Sequence, residues 1–184
     1  MVELKPFSLL NAETHFKWNN DEELNFYDSD FPLNLETFDS FINRLKLITD
    51  EQNTSNRLME IHVGETGELI GIIDIHNIDI HNLHCSLECT IGDYTYRHKG
   101  YGTEALGKAL RHCFEELNMQ KVYASSFDFN EKWIRMLTKT GFKQEGHLRR
   151  HVQKRGRYCD KLLFGLLKEE FLYAGKPQEA VGVI

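Results

Sequence analysis

The residues best suited to chemistry form a basic, glycine-containing turn at positions 97–103, which leads directly into an amphipathic segment. Gly100 and Gly102 let an anion approach the backbone closely, and Arg97 and Lys99 add positive charge. At the start of a helix, free N–H groups and the positive end of the helix dipole also favour an anion. The turn therefore predicts a site for a diphosphate. The helix is indicated by apolar residues at helical spacing, namely Ala105, Leu106, Ala109, Leu110 and Phe114.

Two other interpretations of this turn stay open. A glycine pair before a helix is often only a tight turn. Gly100-x-Gly102-x-x-Ala105 also fits the relaxed dinucleotide fingerprint, and Asp128 follows the next predicted strand as a ribose-binding acid would. That fingerprint needs a strand leading directly into the first glycine, whereas residues 94–99 are polar and charged. The Walker pattern is excluded, because no Gly-Lys-Ser/Thr occurs.

Composition favours one globular unit over residues 1–184, with 172–184 as a C-terminal appendage. The net charge of −6 argues against a general nucleic-acid binder and suits cationic substrates. No run approaches the roughly 20 apolar residues of a membrane span, and the N-terminus lacks the apolar core of a signal peptide. The four cysteines show no CxxC spacing, so reduced thiols and a cytoplasmic location are expected. A homodimer is possible.

The hydrophobic pattern predicts a mixed α/β fold of six or seven strands flanked by helices. Helices are expected at 14–18, in a longer piece up to 48, at 102–117 and at 130–140, the last ending at Gly141. Between the first two lies an acidic, aromatic segment, 21–32. Strands are expected at 2–8, 57–63, 69–76, 84–92, 121–127, 142–151 and 157–167, with hairpin turns at 64–67 and 154–156.

Several motifs in order make the chain resemble the GNAT N-acetyltransferase superfamily. Arg97-His-Lys-Gly100-Tyr-Gly102 matches the pyrophosphate loop Arg/Gln-x-x-Gly-x-Gly/Ala of that superfamily. Asn130, followed by a helix ending in Lys139-Thr-Gly141-Phe142, is similar to its second cofactor helix. The ending Gly146-x-Leu148-Arg149, then Gly156-x-Tyr158-x-Asp160, resembles the branch of ribosomal-protein N-terminal acetyltransferases, spermidine acetyltransferases and some aminoglycoside-modifying enzymes. The resemblance covers about residues 57–171.

The resemblance implies a mostly antiparallel sheet in which the strand before the glycine loop splays from its neighbour. It also implies acetyl-CoA as cosubstrate, no metal, and direct transfer to an amine such as a polyamine or a protein N-terminus. Thr90, Ile91 and Gly92 are expected to hold the pantetheine arm and the thioester oxygen, and Asn130 to bind the same arm. The pyrophosphate is expected at the loop, formed by Arg97, His98, Lys99, Gly100, Tyr101, Gly102 and Thr103.

The catalytic residues are less sharply indicated. Relatives often place a carboxylate base on the strand before the loop, at the position held here by Ser86. Alternation along a strand puts Glu88 and His84 on the same face as Ser86, so Glu88 is the expected base or substrate anchor and His84 the reserve. Many relatives carry a tyrosine acid where this chain has Leu137. Direct release of the thiolate or a proton from water is therefore the favoured expectation. Tyr158 is the substitute acid considered, ahead of Tyr123 and Tyr94.

Three other groups of residues could have either a structural or a ligand-binding role. His76, His81, His84, Cys85 and Cys89 invite zinc, but their spacing matches no compact ligand set, so no metal is expected. The acids of segment 21–30 are expected to be helix caps and loop charges rather than amine ligands. Residues 149–157 form a basic hairpin tip, expected to be solvated rather than phosphate-facing. A catalytically silent CoA-binding module and, less favoured, a dinucleotide-dependent oxidoreductase remain as alternatives.

Overall fold

The structure is a computed structural model and describes residues 1–50 and 52–173. Seven strands form one sheet in the order β1-β2-β3-β4-β5-β7-β6. The strands are β1 (Val2–Pro6), β2 (Arg57–Val63), β3 (Leu69–Asp79), β4 (His84–Ile91), β5 (Lys121–Phe127), β6 (Lys143–Lys154) and β7 (Arg157–Leu167). The helices are α1 (Ala12–Asn19), α2 (Glu22–Asp28), α3 (Phe38–Ile48), α4 (Tyr101–Arg111), α5 (Glu131–Lys139) and α6 (Lys168–Tyr173).

The sheet divides between β4 and β5. All other neighbouring strands pair antiparallel, whereas β4 and β5 are parallel because the chain returns through α4. Their register covers only three pairs, from His84 with Lys121 to Ser86 with Tyr123. Among the described residues, β4 beyond Ser86 has a strand partner on the β3 side alone. The expected mostly antiparallel sheet with a splayed strand is therefore confirmed, and the opening lies between β4 and β5.

The main core lies between the sheet and α4. The predicted apolar stripe of this helix is fully buried, and it packs against the odd-numbered residues of β3 and β4, including Ile73, Ile75 and Leu87. Phe114 extends the contact in a single π-helical turn, His112–Glu116, that continues α4. Because side chains alternate along a strand, the even-numbered residues of β3 and β4 point to the opposite face. The polar residues on that face of β3 and β4 form the candidate site.

The N-terminal helices α1–α3 pack on that opposite face. A buried network joins α1 to β2, in which Glu60 accepts hydrogen bonds from the His15 ring at 3.0 Å and the Asn11 amide at 2.8 Å. Helix α2 lies within the acidic segment that the sequence analysis left without secondary structure. Asp21 caps it by accepting from the Leu24 N–H at 2.9 Å, and two acids follow in its first turn. That capping pattern was the sequence signal for this helix.

Most local predictions agree with the structure. The strands at 57–63 and 121–127 have the predicted bounds, and Gly141 follows α5 with a φ of +98°. The predicted appendage begins inside α6, and its residues 174–184 lie outside the described part of the chain. Within residues 1–50 and 52–173, no helix is long and apolar enough to cross a bilayer.

Candidate active site

The glycine turn presents unpaired backbone N–H groups at the start of α4. Gly100 precedes the helix with a φ of +88°, a left-handed conformation that side chains disfavour. The first helical hydrogen bond runs from the Glu104 N–H to the Gly100 carbonyl at 3.1 Å. The N–H groups of Tyr101, Gly102 and Thr103 therefore have no carbonyl partner within the helix. This geometry suits an anion, as predicted.

Arg97 fastens the turn to the end of β4. Its Nε donates to the Ile91 carbonyl at 2.9 Å, and its guanidinium lies 3.8 Å from the centre of the Tyr94 ring. A third contact, 3.9 Å long, reaches Glu23 of α2. Lys99 extends over the Tyr96 ring, 5.4 Å from its centre. The two cations expected to neutralise a phosphate therefore make internal contacts that shape the turn.

A row of basic side chains on α5 supplies the positive charge instead. Lys132, Arg135 and Lys139 line the cavity beside the turn, and the Lys132 ammonium lies 3.4 Å from the His98 ring. The sequence analysis missed these three residues. Their spacing of three and four residues, which places them on one helix face, was the available signal.

The larger cavity, of about 860 Å³, runs from the glycine turn into the opening between β4 and β5. Gly92, Lys99 and Tyr101 do not line it; the indole of Trp18 lies against Gly92 so closely that an added Cβ would be 2.1 Å from the ring. Gly92 thus provides room for Trp18 rather than for a ligand. Eight of the predicted cofactor residues do line this cavity, namely Thr90, Ile91, Arg97, His98, Gly100, Gly102, Thr103 and Asn130.

Asn130 lines the larger cavity and also caps a helix. Its Oδ1 accepts from the Trp133 N–H at 3.3 Å and caps α5. The Trp133 indole donates in turn to the Ser125 carbonyl of β5 at 2.9 Å, which holds α5 against the opening. The side-chain NH₂ of Asn130 makes no hydrogen bond within the described part of the chain, so it can donate to a ligand.

A smaller cavity of about 620 Å³ opens on the other side of the split. Ser86, Tyr123 and His76 are among its walls, and it meets the larger cavity at Asp30, Glu88, Ser125 and Lys161, which line both. A molecule entering from the glycine turn and one entering from the smaller cavity would therefore meet beside Glu88.

Among the described residues, Glu88 is the carboxyl at this junction that is not engaged in an ion pair, since Asp30 and Lys161 contact each other. Its pKa is raised to about 7, chiefly because protein groups displace water from the carboxyl; among the nearby charges, His76 and Lys161 lower the pKa while Asp74 and Asp28 raise it. The residue is nevertheless exposed to solvent, because it lines both open cavities. A carboxyl with these properties can exchange protons near neutral pH.

The other predicted catalytic residues differ in placement. Ser86 and His84 line the smaller cavity, with the His84 ring edge-on to Tyr123 at 5.7 Å between centres. Tyr158 lines neither cavity, because it lies on an exposed stretch of the β6–β7 hairpin with Arg150 stacked 4.8 Å from its ring centre. Leu137 is fully buried in the core. Tyr158 is therefore poorly placed as an acid, and Tyr123 is the tyrosine at the smaller cavity.

The acids of segment 21–30 make internal contacts, in line with the expectation of caps and loop charges. Asp21 caps α2 and Glu22 contacts Arg155 at 3.3 Å. Asp28 accepts a hydrogen bond from Thr90 at 2.9 Å, and Asp30 pairs with Lys161. The segment is thereby fastened across the mouth of the opening.

The basic hairpin tip is only partly solvated, which corrects the sequence-based expectation. Lys154 is buried, and its ammonium donates to the carbonyls of Asn25 and Ser29 at the C-terminal end of α2. Arg155 stacks on Phe26 at 4.4 Å from the ring centre. These cations hold down α2, whose C-terminal carbonyls attract positive charge.

The fold separates the cysteines and His81 from the other residues considered for zinc, whereas His76 and His84 both line the smaller cavity. Cys85 is buried in the core and His81 lies in the exposed turn between β3 and β4. Cys89 approaches the Gly102 carbonyl at 3.8 Å, and burial raises its pKa to about 12, so its thiol is protonated. All four cysteines are free.

Comparison with known proteins decides the family. The family model described as "Acetyltransferase (GNAT) domain" matches residues 2–143 of this chain. The chain belongs to the GNAT acetyltransferase family. It is 33% identical over 134 residues to the SPbeta prophage-derived uncharacterized N-acetyltransferase YokL of Bacillus subtilis. The aligned region covers 70% of this chain and 72% of that protein. It is also 30% identical over 105 residues to the spermidine N(1)-acetyltransferase of Vibrio cholerae, covering 56% of this chain and 60% of the relative.

The solved structures agree on the fold. The spermidine N-acetyltransferase of Vibrio cholerae, in complex with CoA and spermine, superimposes with a TM-score of 0.85 at 22% identity, over 93% of this chain and 98% of that one. This acetyltransferase is therefore an acyl-transferring enzyme by family, which sets aside the dinucleotide-dependent oxidoreductase. The fold agrees, because eight residues, 92–99, separate the end of β4 from Gly100, where a dinucleotide fingerprint needs a direct connection.

Proposed function

We propose that this acetyltransferase transfers an acetyl group from acetyl-CoA directly to a primary amine. The pyrophosphate binds at the N-terminus of α4 and the basic face of α5, and the pantetheine arm enters the opening between β4 and β5. The amine arrives through the smaller cavity. The observation that carries this proposal is the junction, where two cavities share Glu88 at the only split in the described sheet.

Glu88 is the proposed base. An amine attacks a thioester carbonyl only in its uncharged form, so the ammonium proton must leave first. The Glu88 carboxylate accepts that proton, directly or through one water. The new C–N bond then forms as the C–S bond breaks. Backbone N–H groups of the unpaired stretch of β4, near Thr90 and Ile91, are the proposed donors to the thioester oxygen.

As the amide forms, the attacking nitrogen loses a second proton and the leaving thiolate gains one, and water carries this proton between them. Leu137 offers no proton where many relatives have a tyrosine, and its burial in the core leaves no polar atom there. A thiol loses its proton at a pH only slightly above neutral, so its departure as thiolate is feasible without a positioned acid.

The proposed acceptor is a polyamine-like small amine or a protein N-terminus. Similarity to a spermidine N(1)-acetyltransferase and to the putative ribosomal N-acetyltransferase YdaF of Bacillus subtilis supports these two classes. We further propose that the reaction needs no metal ion and takes place in the cytoplasm. A single domain and a homodimer stay predictions of the sequence.

Ligand-dependent melting tests the cofactor. Acetyl-CoA at 100 times its dissociation constant adds about 2.7 kcal/mol to the free energy of unfolding, which corresponds to a rise of roughly 5–10 °C in melting temperature at this length. NAD should leave the melting temperature unchanged. The reverse pattern would refute the proposal.

A pair of glycine variants locates the binding site. Gly102→Asp puts negative charge at the proposed pyrophosphate site and should abolish the shift with acetyl-CoA. An added Cβ there meets Ile91 and Met136 at an ordinary 3.5 Å, so the fold should survive. Gly107→Asp is the matched control in the same helix, where an added Cβ meets nothing within 4 Å, and it should retain the shift. Equal shifts in both variants would remove the turn from the site.

Turnover distinguishes an enzyme from a silent binder. CoA release should be measured with spermidine, aminoglycosides and N-terminal peptides as acceptors. Binding of acetyl-CoA without turnover on any of them would favour the silent module, for which the apolar Leu137 is the supporting feature.

A further inference from the structure

Glu88 has two charged neighbours on β3 that the sequence analysis did not connect with it. Asp74 is its direct cross-strand partner, and His76 stands opposite Ser86, so all three side chains share one face of the sheet. One carboxylate oxygen of Asp74, one ring nitrogen of His76 and one carboxylate oxygen of Glu88 lie within 4.8 Å of one another. The cluster sits at the junction of the two cavities.

Asp74 and His76 interact through charge rather than through a hydrogen bond. The Asp74 Oδ1 and His76 Nδ1 atoms are 3.7 Å apart, and both are buried without a hydrogen-bond partner among the described residues. Their attraction, opposed by partial burial, raises the pKa of His76 above its usual range, and the Glu88 carboxylate adds to the effect. Asp74 therefore favours the imidazolium form of His76.

Most other charges around Glu88 are already compensated. Lys161 pairs with Asp30, and Lys121 contacts Glu145 at 2.6 Å. Asp28 accepts a hydrogen bond from the Thr90 hydroxyl, and burial raises its pKa, which favours the uncharged form. His76 differs from these groups, because its counter-ion, Asp74, also lies beside Glu88. The titratable or charged groups that face the cluster are Asp28, Asp30, His84, Lys121, Tyr123, Glu145 and Lys161.

We propose that Asp74 and His76 are positioning residues for Glu88, in which the His76 imidazolium stabilises the ionised base and Asp74 keeps that imidazolium charged and in place. This inference rests on the proposed role of Glu88 as base. It predicts that the two neighbours act as a compensating pair: losing His76 alone exposes Glu88 to the bare negative charge of Asp74, whereas losing both removes the imbalance.

The experiment follows kcat/KM against pH, with EDTA present throughout to exclude bound divalent cations. In the wild type, protonation of Glu88 produces a fall in kcat/KM below about pH 7. His76→Gln should move this acid limb upward by about 0.5–1 pH unit, because a nearby cation is lost and a nearby anion remains. Asp74→Asn added to His76→Gln should move the limb back toward its wild-type position. His81→Gln, in the exposed β3–β4 turn, is the control and should leave the limb unchanged.

The outcomes separate this inference from the proposed function. A break in slope near pH 7 that persists in Glu88→Gln would refute Glu88 as the base. A break that is lost in Glu88→Gln but unmoved in His76→Gln would overturn only the role of His76. A limb that rises in His76→Gln and stays high in the double variant would overturn the pairing with Asp74.

A second measurement covers a His76→Gln variant that fails to fold. In the wild-type protein, the NMR resonance of the His76 ring should titrate in two steps, one of them shared with Glu88. That shared step should vanish in Glu88→Gln. A single-step titration that is identical in both proteins would refute the coupling.

Discussion

The pH dependence of acetyl transfer gives the sharpest test of the site. With a pKa of about 7, the Glu88 carboxyl is about one-tenth ionised at pH 6 and about nine-tenths ionised at pH 8. The amine acceptor keeps its proton up to a pKa of about 10, so it arrives as the ammonium that the Glu88 carboxylate deprotonates. Only the ionisation of Glu88 therefore raises kcat/KM in this range. A plot of log kcat/KM against pH should have a slope near 1 below about pH 7 and be nearly flat above it, up to about pH 9.

Glu88→Gln should remove the break near pH 7. Without the base, only the small uncharged fraction of the acceptor can react, so the plot should show a slope near 1 throughout, and kcat/KM at pH 8 should be about 100-fold lower or more. Glutamine keeps the size of the side chain, so the rise in melting temperature with acetyl-CoA should match that of the wild type. This control separates loss of the base from loss of the cofactor site.

The assay is the initial rate of acetylated-amine formation, quantified by mass spectrometry between pH 5.5 and 9. Mass detection avoids thiol reagents, whose own reactivity depends on pH. A wild-type slope near 1 across the whole range, together with an equally active Glu88→Gln variant, would refute the argument that this carboxyl accepts the proton.

Two further predictions concern the parts that surround the site. Lys154→Met leaves the carbonyls at the end of α2 without their buried donor and should lower the free energy of unfolding by about 1–3 kcal/mol in urea titrations; the exposed control Lys17→Met should change it by less than about 0.5 kcal/mol. Replacing Lys132, Arg135 and Lys139 together by Gln should raise KM for acetyl-CoA roughly tenfold at low salt while kcat is kept. That difference should shrink in concentrated salt, and a KM equal to that of the wild type would remove α5 from the phosphate site.

Features that depend on near neighbours in sequence were predictable. The stripe of α4, the hairpin turns and the cap at Gly141 each follow from residues within one or two turns of one another. The family motif in the glycine turn belongs to the same class, and the family assignment confirms that resemblance. Helix α2 was missed because its signal is a single capping residue rather than an apolar period.

The tertiary structure alone decided which residues meet. Thr90 and Asp28 are 62 positions apart in the sequence, and Lys154 and Ser29 are 125 positions apart. No local sequence pattern could therefore predict the contact between either pair. The sequence indicated a charged residue at position 88. The split sheet and the two cavities gave that carboxyl its partly desolvated surroundings, and β3 set His76 and Asp74 beside it. Desolvation and charge proximity depend on three-dimensional distance, which is why the proton chemistry of this site emerges only in the folded chain.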